Sequence, residues 1–545
     1  MPPDLDASLK SIPEQIQREQ ERIYRALRKE SRQLLGQPSP AIESYTREYN
    51  RELRPGKRIE LMSKKALIRE SAQTDVVFLA DYHTFAQSQR NALRLLRDLC
   101  PDYKAASHWM IGLELISSQY QKSLDAFCAG RLSLKRLYRE IHYEEDWGFP
   151  WENYLPLFEW ARERRIPLIA LNRPKALFYN PKKNRSVDLQ KRDQWAAGVI
   201  TDRLAAGGLK MLVLYGELHV SRNHLPHQLT EVSKRVLKKP LRSLSLHQDL
   251  AWVHWKISTR ARKRILHKGQ VAKLGESSYS LITSPPWMKL QSLLNWMEGG
   301  RGLDLDEEAS LDWLSRFGFY SSRLAEFLRV PEPGLGSLSV RTIEDPQIPL
   351  SKLRKSLSPR EISLVQKLIR QNEIFYIAAL QTAYAGTPSE NKIAELAALH
   401  LLSQKTKNNS HSADFHVWVL ENPFGFFGSL FFNPRRKCDL AADHRAAIRE
   451  NPKSPESTAR RLALQYLRAH GKTEISASRW TRFKAARFAG RILGQELFHL
   501  AAQSKMERKE IHALFFKKRE FSEKIEMVFS FLKKTRPRLS KRDGF

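Results

Sequence analysis

Two short stretches carry an apolar run into a carboxylate followed, two residues on, by a histidine: "VVFLADYHTF" at 76–85 and "MLVLYGELHV" at 211–220. The first supplies Asp81 and His83 with Tyr82 between them, the second Glu217 and His219. Imidazole and carboxylate together ligate zinc, manganese or iron. A divalent metal so held lowers the pKa of a bound water and makes it a nucleophile near neutral pH. Without metal, crowded carboxylates raise one another's pKa, and an acid paired with histidine serves as a general base toward water. Ligation of haem iron, by a histidine or by Tyr82, is a third use of the same groups.

Such groups work only if something brings them together. "DVVFLA", "WMIGLEL", "IPLIAL" and "MLVLY" are short, nearly continuous apolar runs, the pattern of parallel strands covered on both faces. "AQSQRNALRLLRDL" and "YLPLFEWARER" have helical patterns between them, so the order is βαβ and the fold class is α/β, a mostly parallel sheet flanked by helices. Residues past the C-terminal ends of parallel strands gather along one edge, where such folds bind ligands. Glu114 follows the second strand and Asn172 the third. Residues two apart on an extended chain share a side, so each carboxylate is expected beside its own histidine.

Three parts are expected: a helical N-terminal segment 1–70, the α/β domain 71–257, and a separate helical C-terminal domain 258–545. "SIPEQIQREQERIYRALRKESRQLL" opens on a capping box, Ser11 to Glu14. Ser358, Pro359 and Glu361 form another, and Thr387, Pro388 and Glu390 repeat the device. Further helices are expected at 457–469 and 479–503, and "LRSLSLHQDLAWVHWKI" is expected to add one or two strands. "ENPFGFFGSLFF" at 421–432 lacks helical period and reads as a hairpin packed into the C-terminal core or as an exposed contact. "GKT" at 471–473 is no phosphate loop, because Tyr466 stands where the motif's first glycine belongs. Glu496 and His499 have di-iron spacing, but the second Glu-x-x-His that such a centre needs is missing.

The 545-residue chain has a hydrophobic fraction of 41%, that of a globular protein, and no apolar run near the roughly 18 residues that span a bilayer. "MPPDLDASLK" has neither a signal-peptide pattern nor a lipid-attachment cysteine, and Cys100, Cys128 and Cys438 fit no disulfide framework; both point to the cytoplasm. The formal charge of +33 is spread along the chain, with excesses of +14 in residues 1–260 and +19 in 261–545. "RARKR" at 260–264, "RRK" at 435–437 and the tail "KKTRPRLSKR" are short clusters on a general basic surface, and no zinc finger, RNP motif or basic zipper accompanies them. An anionic partner, nucleic acid or acidic protein, fits that surface.

"VVFLADYHTFAQSQRNALRLL", "IGLELI", "WENYLPLFEWARERRIPLIALNRP", "KRDQWAAGVI" and "LVLYGELHVSRNHLPHQL" resemble, in order, the blocks of ChaN-like proteins, in a superfamily with TraB, Tiki and the erythromycin esterases. The resemblance covers roughly residues 40–257. Its pattern is two Gly-acid-x-His motifs with a glutamate between; Gly216, Glu217 and His219 keep it, while Ala80 replaces the first glycine. It implies the α/β fold and two readings of one site, to which the basic charge adds a third. In the first, haem or iron is bound through Tyr82, His83 and His219. In the second, His83, His219 and Glu114 hold a divalent metal (Fe, Mn or Zn) for hydrolysis of a peptide or ester, with Asp81 or Glu217 as base. In the third, the site is degenerate and the basic surface is a scaffold. ChaN-like uptake proteins are typically exported lipoproteins, which this N-terminus does not match. Arg192 and Asp193 fall in a family block, near the site or in a helix-surface salt bridge, and His224 and His227 are candidates to extend the site.

Overall fold

A computed structural model describes residues 11–53, 59–174, 185–260, 270–297, 313–343, 346–406, 415–473, 475–517 and 519–535. The first ten residues, most of "RARKR" and the end of the basic tail therefore lie outside the described residues. The chain divides into two compact units, Tyr24–Leu311 and a second formed by residues up to Ile23 with Asp312–Phe545.

Among the described residues, the Tyr24–Leu311 unit holds eight strands: β1 (Glu60–Met62), β2 (Val76–Asp81), β3 (Trp109–Ser117), β4 (Leu168–Asn172), β5 (Lys210–Gly216), β6 (Ser243–Gln248), β7 (Gln270–Lys273) and β8 (Ser278–Ile282). They lie in the order β1-β7-β8-β6-β2-β5-β3-β4. From β8 to β4 all neighbours are parallel; β7 runs antiparallel to β8, and β1 antiparallel to β7. The apolar runs are continuous because both sheet faces are covered. Val77 and Leu79 of β2 enter one core with Leu96, Phe158 and Leu214, whereas Val76, Phe78 and Ala80 enter the other with Val213, Leu225 and Leu229.

The order has a consequence for the site. After β4 at the edge, the chain returns to insert β5 between β2 and β3. The strands ending in the two motifs are therefore direct neighbours, paired through Asp81 and Gly216, with the glutamate-bearing β3 on the other side of β5.

The expected boundaries shift. Residue 70 is no border, because β1 and the helix Lys64–Ala72 belong to the α/β unit, and the sheet runs past residue 257 through β7 and β8. Those two strands are four and five residues long, too short to stand out by periodicity. "LRSLSLHQDLAWVHWKI" divides into β6 and the helix Ala251–Arg260.

The second unit is mostly helical but holds a small sheet as well: β9 (Ser339–Thr342), β10 (Phe375–Ile377) and β11 (Thr382–Gly386), in the order β10-β11-β9. Helices Pro455–Arg468 and Arg479–Ala502 fall where expected. The Ser358/Glu361 capping box forms with Pro359 in the first turn, and the Ser11 backbone N–H donates to Glu14. The helix after Thr387 starts later, at Glu390, whose carboxylate accepts from the Tyr320 hydroxyl.

"ENPFGFFGSLFF" is not a hairpin. It belongs to the helix Phe415–Phe432, whose Val419, Phe424, Phe427 and Phe431 are all fully buried. A helix buried on every side shows no apolar stripe and hence no 3.6-residue period. A side-chain carbon on Gly494 of the neighbouring helix would lie 2.5 Å from the Pro423 carbonyl oxygen, so the two backbones meet where only glycine fits. Among the described residues, no helix is long and apolar enough to cross a membrane.

Candidate functional site

Past Asp81 the chain leaves β2 and turns, with the Phe85 N–H donating to the Tyr82 carbonyl. The Asp81 carboxylate is buried and held from several sides. Its Oδ2 accepts from the Tyr154 hydroxyl at 2.7 Å and lies 3.0 Å from His83 Nδ1, while Oδ1 accepts from Gln89 Nε2 at 2.5 Å. With Nδ1 engaged, His83 turns Nε2 toward Glu114 Oε2, 4.0 Å away. The rings of Trp147 and Phe149 pack on the imidazole at centroid distances of 4.6 and 4.8 Å, and Trp296 packs on Phe149 at 4.7 Å. Burial alone would lower the His83 pKa, but the bond to Asp81 and the charges of Asp81 and Glu114 outweigh it and raise the pKa.

Glu114 stands where the β3–β5 ladder ends, its last paired residues being Leu113 and Leu214. Its Oε2 takes the Gly216 N–H at 2.6 Å, and its Oε1 takes Arg192 Nη2 at 2.5 Å. Burial pushes this carboxyl up, but the charges of Arg192, His219 and His83, with the Gly216 N–H, hold it below the usual carboxylate range. Arg192 belongs to the helix Arg185–Leu204, as does Asp193, which is fully buried with Oδ1 2.5 Å from His219 Nδ1. The Tyr45 hydroxyl donates to the other Asp193 oxygen at 3.2 Å. Both imidazoles thus have Nδ1 on a carboxylate and flank Glu114, an arrangement that fixes the ring and presents Nε2.

The pairing expected of the second motif does not form. Glu217 turns from His219 to Lys289, at 2.7 Å, and His219 takes Asp193 in its place. The reason is local: β5 ends at Gly216, the His219 N–H bonds back to the Gly216 carbonyl at 2.9 Å, and the alternation of an extended strand is lost. Tyr82 has the Lys289 ammonium 5.3 Å from its ring centre; burial, then the Glu217 charge, raises its phenol pKa. Asn172 ends β4, its Oδ1 buried without a hydrogen-bond partner among the described residues. His224 extends the cluster, bonding the Leu218 carbonyl and Glu48 and stacking on Tyr45 at 3.9 Å, whereas His227 is exposed.

Neither Ala80 nor Gly216 has positive φ, so alanine in the first motif carries no backbone strain. The Gly216 requirement is one of space. An added side-chain carbon would lie 3.1 Å from Glu114 Oε2 and 3.3 Å from His83 Nε2. Gly216→Ala is therefore expected to displace Glu114 and His83 at a cost of about 1–3 kcal/mol. Urea unfolding of variant and parent checks this, and a difference within error would show that the site yields freely.

His83, His219 and Glu114, the expected divalent-metal set, lie side by side, with Glu114 between the two imidazoles. Both Glu114 oxygens are engaged, and no three His, Cys, Asp or Glu side chains among the described residues could hold a metal ion. The rings of Trp147 and Phe149, with Trp296 behind Phe149, form an apolar wall beside the His83 imidazole. Sequence reasoning missed Gln89, Tyr154, Tyr45, Glu48 and Lys289. Tyr154 lies in a family block; Tyr45 and Lys289 reach the site from the helices Pro40–Glu52 and Pro286–Trp296, outside the expected 71–257 domain.

Residues 67–201, about a quarter of the chain, match the family model for haem-binding uptake proteins of the Tiki superfamily, ChaN. That span holds Asp81, His83, Glu114, Arg192 and Asp193. Among solved structures, one of ChaN of Campylobacter jejuni, on cofacial heme binding, is 16% identical with a TM-score of 0.29, over 42% of this chain and 98% of that one. No curated protein matches.

Proposed function

We propose that the α/β unit binds haem with His83 as an axial ligand. The observation that carries this reading is the oriented imidazole: Nδ1 rests 3.0 Å from Asp81, Nε2 makes no hydrogen bond among the described residues, and half-exposed aromatic rings stand beside it. His219 is oriented in the same way, but its side chain is 8% exposed against 22% for His83, so His83 is the imidazole a large planar ligand reaches. Tyr82 is the weaker donor, because burial, and after it the nearby Glu217 charge, opposes a phenolate. The match to a haem-binding family over residues 67–201 agrees with this assignment.

Haem held there would supply a redox-active iron. The protein's own residues do the positioning: Asp81, fixed by Tyr154 and Gln89, holds the imidazole, while Glu114 and Arg192 keep a paired charge behind it. The test is titration with haemin followed by the Soret band, at high salt so that propionates do not bind the basic surface. Wild-type protein is expected to give a saturable, shifted band that His83→Ala/His219→Ala lacks. Asp81→Asn should weaken binding by about 10–100-fold, as loss of a partner to a ligating histidine does. Equal titrations of wild type and double variant would refute the assignment.

A second reading has its own support, the Asp81–His83 pair with Nε2 facing Glu114 across 4.0 Å. A histidine so held can take a proton from water attacking an ester or amide without a metal. Turnover of ester substrates by metal-free protein, lost in His83→Ala, would favour it over haem binding.

A further inference from the structure

Within the second unit, a cavity of about 140 Å³ is lined by residues of the helices Pro359–Arg370, Phe415–Phe432 and Arg479–Ala502 and of strand β10. Its wall is largely hydrocarbon and aromatic, including Leu364, Leu368, Phe375, Trp418 and Phe483, the last two packed edge to face at 5.4 Å. Polar side chains also line it, and most are committed elsewhere. Glu361 caps its helix and pairs with Arg479, and Tyr376 bonds His400. Glu395 holds Arg436 and Arg491, and Arg487 bonds Glu373 and the Ile374 carbonyl. Asn422 donates to the Trp418 carbonyl. Glu421 differs: it is half-buried and lines the cavity, and among the described residues its carboxyl has no hydrogen-bond or ion-pair partner.

We propose that this cavity binds a small apolar amine, whose ammonium pairs with the Glu421 carboxylate and whose hydrocarbon body lies against Trp418, Phe483 and the leucines. Size sets the body, since an apolar cavity of about 150 Å³ accepts a ring the size of benzene. Charge sets the head. A carboxyl in apolar surroundings without a partner is costly to ionise, and a cation meeting it removes that cost. Indole and phenyl faces add attraction for an ammonium. Burial pushes the Glu421 carboxyl up to about 7, so in the empty cavity it is largely protonated at neutral pH. Amine binding then draws off that proton, and affinity rises with pH through neutrality while the amine keeps its charge. The other ionisable groups on the cavity wall, Glu361, Tyr376, Glu395 and Arg487, are already paired or bonded.

The experiment is calorimetric titration of the full chain with benzylamine and with its neutral isostere benzyl alcohol, for wild type and Glu421→Gln, above neutral pH. Wild type is expected to prefer the amine by about tenfold or more, the worth of one charged hydrogen bond. The variant should lose that preference while still binding the alcohol, which shows that its cavity is intact. Lowering the pH below neutral should erase the preference in wild type, an arm that needs no variant. Equal affinity of wild type for the two probes, no binding of either, or a preference that survives in Glu421→Gln would each overturn the proposal.

Discussion

Glutamine in place of Glu395 is expected to lower the unfolding free energy by about 3–5 kcal/mol, the penalty of removing one partner from a buried charge cluster. Glu395 is 2% exposed, with its Oε2 2.6 Å from Arg436 and 3.1 Å from Arg491. Burial would raise its pKa, but the charges of Arg491, Arg436 and Arg487 outweigh burial and hold the carboxyl at about 2. Glutamine keeps the shape and leaves the half-buried Arg436 and Arg491 without their counter-charge. The pH dependence follows from the sign of the shift. An acid depressed in the folded state stabilises it above the ordinary carboxylate range, and that contribution is lost as pH falls from about 4.5 toward about 2. Wild type should therefore lose more stability than the variant over this acid window. Denaturant unfolding at neutral and acid pH measures both effects; a loss under about 1 kcal/mol would mean that the arginines find other partners.

Asp193→Ala should cost about 2–4 kcal/mol, because it strips two buried groups of their partner at once. The carboxylate is fully buried between His219 Nδ1 and the Tyr45 hydroxyl, and the imidazoles of His83 and His219 each have Nδ1 on a carboxylate. Asp193→Asn keeps an acceptor oxygen and should lose less, so the two variants separate hydrogen bonding from charge. Thermal unfolding of the pair provides the comparison, and equal melting of Asp193→Ala and wild type would show that Asp193 does not hold the site.

The four strands that build the site were legible because parallel strands buried on both faces leave unbroken apolar runs, as 76–80 and 211–215 do. The Asp81–His83 pair was legible as well, being a local feature of two-residue spacing at a strand end. What escaped depends on long-range packing. Nothing in "YGELHV" says that β5 stops at Gly216 and gives His219 to Asp193, some 26 residues earlier in the chain. Lys289, which claims Glu217, arrives on a helix beyond strands too short to announce themselves. The aromatic stretch at 421–432 concealed a helix for the opposite reason, since complete burial removes the polar face that reveals a helical period. The charge excess acquires one surface feature, an exposed row of Arg25, Arg28, Lys29 and Arg32 at helical spacing.

Haem ligation by His83 is tested by electron paramagnetic resonance of the ferric haem complex of wild type, His83→Ala and Tyr82→Phe. A nitrogen-ligated iron is expected in wild type and Tyr82→Phe, with loss of that signature in His83→Ala. An unchanged spectrum in His83→Ala, or its loss in Tyr82→Phe, would contradict it.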